Sequence, residues 1–451
     1  MTISSFSTPG VDEALIALAI LARADAVMLA DVAGLNLAAQ DLAGLAAHSA
    51  VQTSGSTFTL DPETASEVLT ALERDDLPGY RTRHERALTV LLAGVQAGME
   101  TAEPILMTVF ERLANRLLMD DPQRLIELVE QMEDVPWQTA VGAQRRRYFK
   151  GVALRKAERY HDSLAVFDAL LTEPELDVTI RGRTLNSRAI CYRLIGRLEE
   201  ALTDYRASLA LWRQLDDSQY EGAVLLNMGI IAYELQNYDD AEDNLRQAAG
   251  IFTKIGSLWR LAVVQNELGI VYRDQGRWAE SLACFETYVA QRQADGADDS
   301  VGRGLNNLGE VLLFQGRFAE AIAALQKAIE KMSTHVYQID THLHLGLAYQ
   351  ATGKLEQAYA AFQRALKLAE AINRREILPH VHYRLGDVLL RQGAGSDALA
   401  QFEAAAEVIE STREPIRDEG LKISLLGRWQ QVYEALVLMH VDNGRFQEAF
   451  L

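Results

Sequence analysis

Apolar and polar positions alternate with a helical period along most of this chain. From Gln144 to Leu451 one pattern recurs seven times, with a Gly or Ala in a first helix and a large residue three positions later. A turn residue follows at seven, a small residue at twelve and a large residue at sixteen. The turn residues stand at 196, 236, 276, 316, 353 and 393, so the successive spacings are 40, 40, 40, 37 and 40. A fixed period of this length predicts stacked pairs of antiparallel helices.

The small residues of each copy let two helices approach closely, and the large ones fill the space between neighbouring pairs. The turn glycine, replaced by Gln236 in one copy, ends the first helix in a left-handed conformation. We interpret the aromatic residues of the copies as core rather than as an aromatic cage. The copies begin at Gly151, Ala189, Gly229, Gly269, Gly309, Gly346 and Gly386, and a partial copy has Gly444, Phe446 and Ala449.

The pattern resembles the tetratricopeptide repeat over about two thirds of the chain. Its period of 40 exceeds the usual ~34, as in long-helix members such as the kinesin light chain type and bacterial regulatory sensors. The resemblance implies an all-α, right-handed superhelix, a solenoid of helix pairs. In such a superhelix the first helices line a concave groove that binds a peptide or protein partner.

The N-terminal stretch, 1–80, has a different pattern. An apolar helix from Val11 and two short helices precede a stretch that alternates from Val51 to Leu60 around Ser54-Gly55, which predicts a hairpin. Asp61-Pro62 then starts a further helix. This order resembles a winged helix, in particular the one that joins helical repeats in signal-transduction ATPases of the STAND type. We assign 1–80 to a winged-helix-like domain, 81–143 to three helices forming degenerate hairpins, and 144–451 to the repeats.

Charge argues against nucleic acid as a partner. The chain carries a net charge of -19. Residues 1–80 contain two basic residues, Arg23 and Arg74, against eleven acidic ones, and residues 38–47 contain no Arg or Lys. DNA-binding domains depend on phosphate contacts, so we predict no nucleic-acid binding. An anionic membrane is disfavoured for the same reason, and no apolar run has the length of a membrane span.

No catalytic or cofactor motif is present. The sequence has no phosphate-binding glycine loop, no His-Glu-x-x-His and no Cys-x-x-Cys. The two cysteines, Cys191 and Cys284, lie in separate copies, which favours packing roles and a reducing, cytoplasmic setting. We therefore predict a protein that is not an enzyme and binds no cofactor or metal.

Five histidines cluster between positions 335 and 382. Two of them, His342 and His382, are separated by one full period of the pattern, so they occupy equivalent positions on neighbouring first helices. That position faces the core between helices, and we expect a structural role rather than a metal site. The five are His335, His342, His344, His380 and His382.

The candidate site is the groove formed by the first helices. Asparagine recurs there although it is a mediocre helix former, and its amide can bond a peptide backbone. The resemblance implies a ladder of Asn186, Asn266 and Asn306, with Asn227 and Asn307 one residue over. The alternative is that these residues bridge adjacent repeats or cap local carbonyls. Arginines on the same face favour an acidic or phosphorylated peptide. The polar neighbours are Arg183, Arg193, Tyr233, Arg273, Arg303, Glu310, Gln350 and Arg391.

Near residue 410 the chain has the motif Ile-Glu-x-x-Arg, and Tyr-Glu-x-Leu-Val follows from Tyr433. This pair of motifs resembles the segment that precedes the protease domain in tetratricopeptide–CHAT (caspase-like) proteins. Two function classes stay open. One is a stand-alone interaction scaffold or sensor. The other is the regulatory arm of a larger signalling enzyme, CHAT protease or STAND ATPase, whose catalytic domain lies outside the 451 residues of this chain. The matching residues are Ile409, Glu410, Arg413, Tyr433, Glu434, Leu436 and Val437.

Overall fold

The computed structural model describes residues 9–33, 37, 39–54, 57–99, 102–333, 335–414, 427 and 429–442. In this part of the chain the fold consists of helices and one small antiparallel sheet. The chain divides into two compact units, Met1–Asp217 and Ser218–Leu451. Stacked helix pairs with a hairpin near the N-terminus confirm the predicted fold class.

The first unit begins with a helix, a strand, two helices and a hairpin. The predicted helices and hairpin are confirmed, and one short strand was not predicted because three residues are too few to give a periodic signal. The strands pair in the order β1-β3-β2, with Val51 opposite Leu60 and Arg23 opposite Thr59. The elements are α1 (Pro9–Leu21), β1 (Arg23–Asp25), α2 (Ala26–Ala33), α3 (Ala39–Ala46), β2 (Val51–Ser54), β3 (Thr57–Leu60) and α4 (Pro62–Asp75). Gly55, in the predicted turn, lies outside the described residues.

Three further helices follow, as predicted: α5 (Leu77–Gln96), α6 (Ala102–Asp120) and α7 (Pro122–Gln131). They share one apolar core with the N-terminal elements. Every side chain from Ala14 to Leu21 is at most 5% exposed, because α1 is apolar on all faces and is enclosed by its neighbours. Among the described residues, one cluster of buried side chains reaches from Ala14 in α1 to Leu154. The domain boundaries at 80 and 143 stay predictions.

The repeat copies fold as antiparallel helix pairs. In the first unit these are α8 (Ala140–Lys156) with α9 (Tyr160–Leu171), and α10 (Val178–Leu194) with α11 (Leu198–Gln214). The second unit contains five pairs and a last described helix. They are α12 (Ser218–Glu234), α13 (Tyr238–Lys254), α14 (Leu258–Asp274), α15 (Trp278–Ala294), α16 (Asp298–Phe314), α17 (Phe318–Lys331), α18 (His335–Ala351), α19 (Leu355–Ala371), α20 (Leu378–Arg391), α21 (Gly395–Arg413) and α22 (Gln430–Asp442).

The small and large positions of the pattern meet within each pair. A Cβ added to Gly269 would lie 2.7 Å from the ring of Phe285, and one added to Gly309 would lie 2.6 Å from Leu325. Both large side chains are fully buried. The second-helix aromatics at this position are therefore core, as predicted, and they occur in five copies: Phe167, Tyr205, Phe285, Phe362 and Phe402.

The turn position also behaves as predicted. Gly276 and its equivalents have positive φ, 72° in this copy, and Gln236 adopts the same conformation with φ 59°. A residue with a Cβ is disfavoured in this region, whereas glycine is not.

Replacing Gln236 by glycine is expected to stabilise the second unit by about 0.5 to 1 kcal/mol, because it relieves this backbone cost. Urea unfolding monitored by circular dichroism measures the change. Gln236→Ala keeps a Cβ and serves as the control. A glycine variant that unfolds at lower urea than the wild type contradicts the expectation.

The segment near residue 410 makes local contacts between α21 and α22. Tyr433 Oη donates to Glu410 Oε1 over 2.7 Å, and Arg413 Nε donates to Glu410 Oε2 over 2.8 Å. Ile409 is buried against Tyr433 and Leu436. These contacts account for five of the seven matching positions by packing and ion pairing. The partial copy at Gly444, Phe446 and Ala449 lies outside the described residues.

None of the described helices combines the length and the apolar character needed to cross a lipid bilayer.

Candidate functional site

The first helices of the second unit are direct neighbours. Helices α12 and α14, α14 and α16, and α16 and α18 contact one another, so their polar faces lie side by side. We call the polar residues of α12, α14, α16, α18 and α20 the first-helix surface. Of the predicted groove residues, Arg183, Asn186 and Arg193 lie half-buried on α10 of the first unit, and the other ten belong to the first-helix surface. Among these ten, Asn227 lies half-buried on α12.

Three of the asparagines bond to one another across neighbouring pairs. Asn307 Nδ2 on α16 donates to Asn266 Oδ1 on α14 over 3.1 Å. Asn306 Nδ2 donates to Asn307 Oδ1 over 3.4 Å, and Asn266 Nδ2 donates to Glu267 Oε1 over 3.1 Å. On α18, His344 Nδ1 lies 3.0 Å from Asn306 Oδ1. We call Glu267, Asn266, Asn307, Asn306 and His344 the amide row, and it bridges three helix pairs.

The bonds between helix pairs leave some hydrogen-bonding groups of these asparagines unused. Each side chain has two N–H groups and an oxygen with two lone pairs. The bonds of the amide row use one N–H and one lone pair of each asparagine. All three asparagines are half-buried rather than enclosed. The two roles left open by the sequence, bridging and ligand binding, are therefore compatible in the same residues.

Three predicted groove residues, Arg273, Glu310 and Tyr233, form ion pairs or hydrogen bonds within the chain. Arg273 lies between two carboxylates, with Nε 2.7 Å from Asp274 Oδ1 and Nη1 2.7 Å from Glu310 Oε2. Tyr233 Oη donates to Asp274 Oδ2 over 2.7 Å. Burial and this hydrogen bond raise the pKa of Tyr233 to about 12. Arg273 is thus largely neutralised within the chain.

A second set of polar contacts, centred on the Asp387 carboxylate, joins α18 to α20. Gln350 Nε2 donates to Asp387, and Arg391 Nη2 lies 3.3 Å from the same carboxylate. Arg391 is exposed, but its charge is partnered. The predicted anionic preference of the first-helix surface therefore depends on a different arginine.

Arg303 is that arginine. Its side chain is exposed and lies on α16, one turn before the two asparagines. Its Nη2 donates to Ser300 Oγ over 3.2 Å, and its guanidinium lies 4.9 Å from the centre of the Tyr337 ring. In the described part of the chain no carboxylate lies within ion-pair distance of it. Arg303 is thus available to an anion.

Arg303 and the asparagines line one pocket of about 200 Å³ on the first-helix surface. The pocket is polar at Arg303, at the amides and at Asp340, which lies 3.3 Å from Arg374. Two buried side chains, Tyr288 and Met332, give it an apolar part. The lining residues are Asn266, Tyr288, Arg303, Asn306, Asn307, Met332, Tyr337 and Asp340.

Four of these residues were not among the predicted site residues. Tyr288 and Met332 come from the second helix of a pair or its end, and the sequence pattern assigns such positions to core. Tyr337 and Asp340 lie near the start of α18, inside the one interval between turn residues, 316 to 353, that is 37 rather than 40 residues long. The shorter spacing is the sequence feature that could have indicated a departure from the regular repeat at this position.

The histidines are held by hydrogen bonds and packing. His382 Nδ1 lies 2.9 Å from Gln401 Oε1, and His344 belongs to the amide row. Burial lowers the pKa of His342 and of His380 to about 4. Among the described residues no group of three or more histidine, cysteine or acidic side chains has a metal-binding arrangement. The side chain of His335 lies outside the described residues.

Both cysteines are buried and unpaired as disulfides. Burial raises the pKa of Cys284 to about 11 and also raises that of Cys191. Thiols with raised pKa values react slowly, since the thiolate is the nucleophile. These properties fit the predicted packing role.

Comparison with known proteins identifies the repeat. The tetratricopeptide repeat family matches residues 181–254 and 260–333, and the suppressor of spindle checkpoint defect 1 C-terminal domain matches residues 310–416. The chain is 21% identical to the kinesin light chain-related 3 protein of Arabidopsis thaliana over 269 residues, which is 57% of this chain and only 40% of that protein. It is 31% identical to the photosystem I assembly protein Ycf3 of Synechococcus sp. (strain CC9902) over 141 residues, 30% of this chain and 72% of that protein.

Solved structures share the fold. A STAND protein with a tetratricopeptide repeat sensor from Pyrococcus horikoshii aligns with a TM-score of 0.59 at 14% identity, covering 91% of this chain and 65% of that one. A Rap protein complexed with competence and sporulation factor aligns with a TM-score of 0.50 at 12% identity, covering 74% and 99%. Family match, relatives and helix-pair geometry agree, and the chain belongs to the tetratricopeptide repeat proteins.

Proposed function

We propose that this chain is an interaction scaffold or sensor that binds a peptide or protein on the first-helix surface, centred on the pocket of Arg303. The observation that carries the proposal is this pocket. It combines a cation without a carboxylate partner among the described residues, amides with unused N–H groups, and an apolar part formed by Tyr288 and Met332. A pocket that is partly apolar with a few convergent polar groups is typical of a ligand site.

The ligand that fits is an acidic peptide. Arg303 offers several N–H donors to a carboxylate or phosphate, and charge-assisted bonds of this kind are stronger than neutral ones. The other arginines proposed from the sequence in the second unit contribute less, since Arg273 and Arg391 are already paired with acidic side chains. The Rap protein with its bound factor gives a precedent for ligand binding on this fold.

A library of blocked decapeptides, scanned position by position with fluorescence polarisation, tests the proposal. We expect selection of Asp, Glu or a phosphorylated residue at one position and weak selection elsewhere. No peptide binding below about 1 mM, the weak end of the affinity scale, would reject the peptide-binding function.

Arg303→Gln is expected to weaken binding of the selected peptide by about tenfold at low salt, and by less as salt is raised, because ionic attraction is screened. Arg391→Gln removes an arginine of the same surface that is already paired, so it serves as the matched control. Equal losses in the two variants would contradict a specific role of Arg303.

A second function is the regulatory arm of a larger signalling enzyme. The chain aligns over 91% of its length with a STAND protein that has a tetratricopeptide repeat sensor. Its N-terminal helices and hairpin support the proposed winged-helix-like domain. The CHAT resemblance near residue 410 supports a protease as the alternative enzyme. Sequencing the transcript beyond codon 451 distinguishes an arm from a stand-alone scaffold.

The N-terminal domain is expected not to bind DNA. Its net charge of -9 over residues 1–80 gives no cation surface for phosphates. A gel-shift titration with random-sequence duplex at about 150 mM salt measures this, and affinity in the micromolar range or tighter, the range of ordinary non-specific binding, would be the contrary result.

A further inference from the structure

The hydrogen bonds of the amide row all point in the same direction, from His344 toward Glu267. Starting from α18, His344 faces the oxygen of Asn306, whose nitrogen faces the oxygen of Asn307. The nitrogen of Asn307 faces the oxygen of Asn266, whose nitrogen faces the Glu267 carboxylate. Each amide thus receives a hydrogen bond on one side and donates one on the other. Asparagine alone does not determine this sense, because its oxygen and nitrogen ends have the same shape.

Glu267 is the member of the row that can only accept. An ionised carboxylate has no proton to donate, so the nitrogen of Asn266 must face it. The oxygen of Asn266 then faces Asn307, and the same reasoning passes along the row to Asn306. At the far end an oxygen meets His344, so the proton of a neutral imidazole must sit on Nδ1.

A competing carboxylate lies at the other nitrogen of His344. Glu310 Oε1 is 3.9 Å from His344 Nε2 and would favour a proton on Nε2. The contact to Asn306 is shorter, at 3.0 Å, and Glu310 is already bonded by Arg273 at 2.7 Å. Asp340, Arg273 and His380 also act on this imidazole, and burial lowers its pKa. His344 is therefore neutral near pH 7, and its tautomer reports the sense of the row.

We propose that Glu267 is the positioning residue that orients the amide row and so fixes where its asparagines present their remaining N–H groups to a ligand. This inference deepens the proposed function and depends on it only for the identity of the ligand. Each asparagine keeps one N–H group and one oxygen lone pair outside the row, and the orientation of the row fixes the position of both. Together with the donors of Arg303, the N–H groups suit a carboxylate or a peptide carbonyl, and the positive charge of Arg303 disfavours an ammonium group. The carboxylate that lines the pocket, Asp340, lies 3.3 Å from Arg374.

Imidazole nitrogen spectra of the full-length chain, labelled with ¹⁵N at histidine, test the orientation without any ligand. A protonated and an unprotonated ring nitrogen have well-separated chemical shifts. His344, assigned by comparison with His344→Gln, is expected to carry its proton on Nδ1 in the wild type. A proton on Nε2 would overturn the proposal whatever the variants do.

Glu267→Gln removes the acceptor-only end and is expected to move the His344 proton toward Nε2. Adding Asn307→Asp should restore the Nδ1 tautomer, because an aspartate in the middle of the row forces the nitrogen of Asn306 toward it. Glu286→Gln, an exposed carboxylate on α15, is the control for loss of one charge. An unchanged tautomer in folded Glu267→Gln, or no restoration in the double variant, would contradict the role of Glu267.

Small probes test the acceptor selectivity. Acetate and acetamide, titrated at constant ionic strength, should shift the side-chain amide signals of Asn266, Asn306 and Asn307 in the wild type, whereas methylammonium should not. The shifts caused by acetate and by acetamide should each be at least several-fold smaller in Glu267→Gln. An equal response to methylammonium would overturn the selectivity. A correct tautomer with no peptide binding in the decapeptide library would instead reject the proposed function and leave the role of Glu267 intact.

Discussion

Replacing Asn266 and Asn306 together by alanine is expected to weaken binding of the selected peptide about 30- to 140-fold. Each amide that bonds the ligand contributes on the order of 1 to 1.5 kcal/mol, since its removal leaves a partner group unpaired, and about 1.4 kcal/mol corresponds to tenfold in Kd. Fluorescence polarisation of the labelled peptide measures the change.

The same variant is expected to lose some stability, because both residues belong to the amide row. Asn266 accepts from Asn307 and donates to Glu267, and all three lose or weaken a bond. We expect a loss of about 1 kcal/mol per residue, which is ~2 to 4 °C in melting temperature for each. Asn244→Ala is the control, since Asn244 lies half-buried on α13 and its side chain donates to the Asp240 carbonyl of the same helix. An unchanged affinity with a lowered melting temperature would show that the amide row is structural alone.

The sequence predicted the helix pairs because their determinants are local and repeated. A glycine opposite Phe285 and a left-handed turn at Gln236 follow from the register, and both are present. The strand β1 was missed, since so short a strand carries no periodic signal. It forms only because β3 offers an edge, which is a long-range effect.

The sequence predicted on which helices the candidate residues lie, but it did not predict the hydrogen bonds and ion pairs between them. The register places Asn266 and Asn307 on neighbouring helices, but side-chain rotamers decide that they bond to each other. Arg273 and Glu310 were both assigned to the groove as separate ligand contacts, and the structure shows them as an ion pair. Glu267 was not predicted as a site residue, because glutamate is common in helices. Its role becomes visible only from its hydrogen bond to the side-chain amide of Asn266.

His84 shows a different kind of omission. Its neighbours in sequence are polar, which is typical of a surface residue, yet it is fully buried. The signal lay in the helical spacing, since Tyr80, His84, Leu88, Leu91 and Val95 form one buried stripe of α5. Its Nδ1 lies 2.8 Å from the Tyr80 carbonyl, and its ring packs 4.0 Å from the Tyr80 ring, measured between centroids. In the described structure Nε2 is buried without a hydrogen-bond partner.

This imidazole is expected to make the first unit acid-sensitive. Burial lowers the pKa of His84 from 6.5 to about 4, opposed in part by the Tyr80 carbonyl. Between pH 6.5 and about pH 4 this imidazole is therefore protonated in the unfolded chain but not in the folded chain. The free energy of unfolding consequently falls as the pH falls through this window. One pKa unit corresponds to about 1.36 kcal/mol, which gives a loss of about 2 kcal/mol at pH 5 and about 3 kcal/mol at pH 4.

Hydrogen exchange of α5 and α6 amides at pH 7.5 and pH 5, corrected for the intrinsic rate, measures this loss in the first unit alone. Global unfolding would add the effect of His342 and His380 in the second unit, whose pKa values are lowered in the same direction. His84→Phe keeps the ring against Tyr80 without a titrating group, and its protection should fall by about 2 kcal/mol less between the two pH values, which is the linkage contribution of the imidazole. His161→Gln, an exposed histidine on α9, should behave as the wild type. If His84→Phe loses as much protection as the wild type, the acid sensitivity of the first unit has another origin, because no other change separates the two proteins.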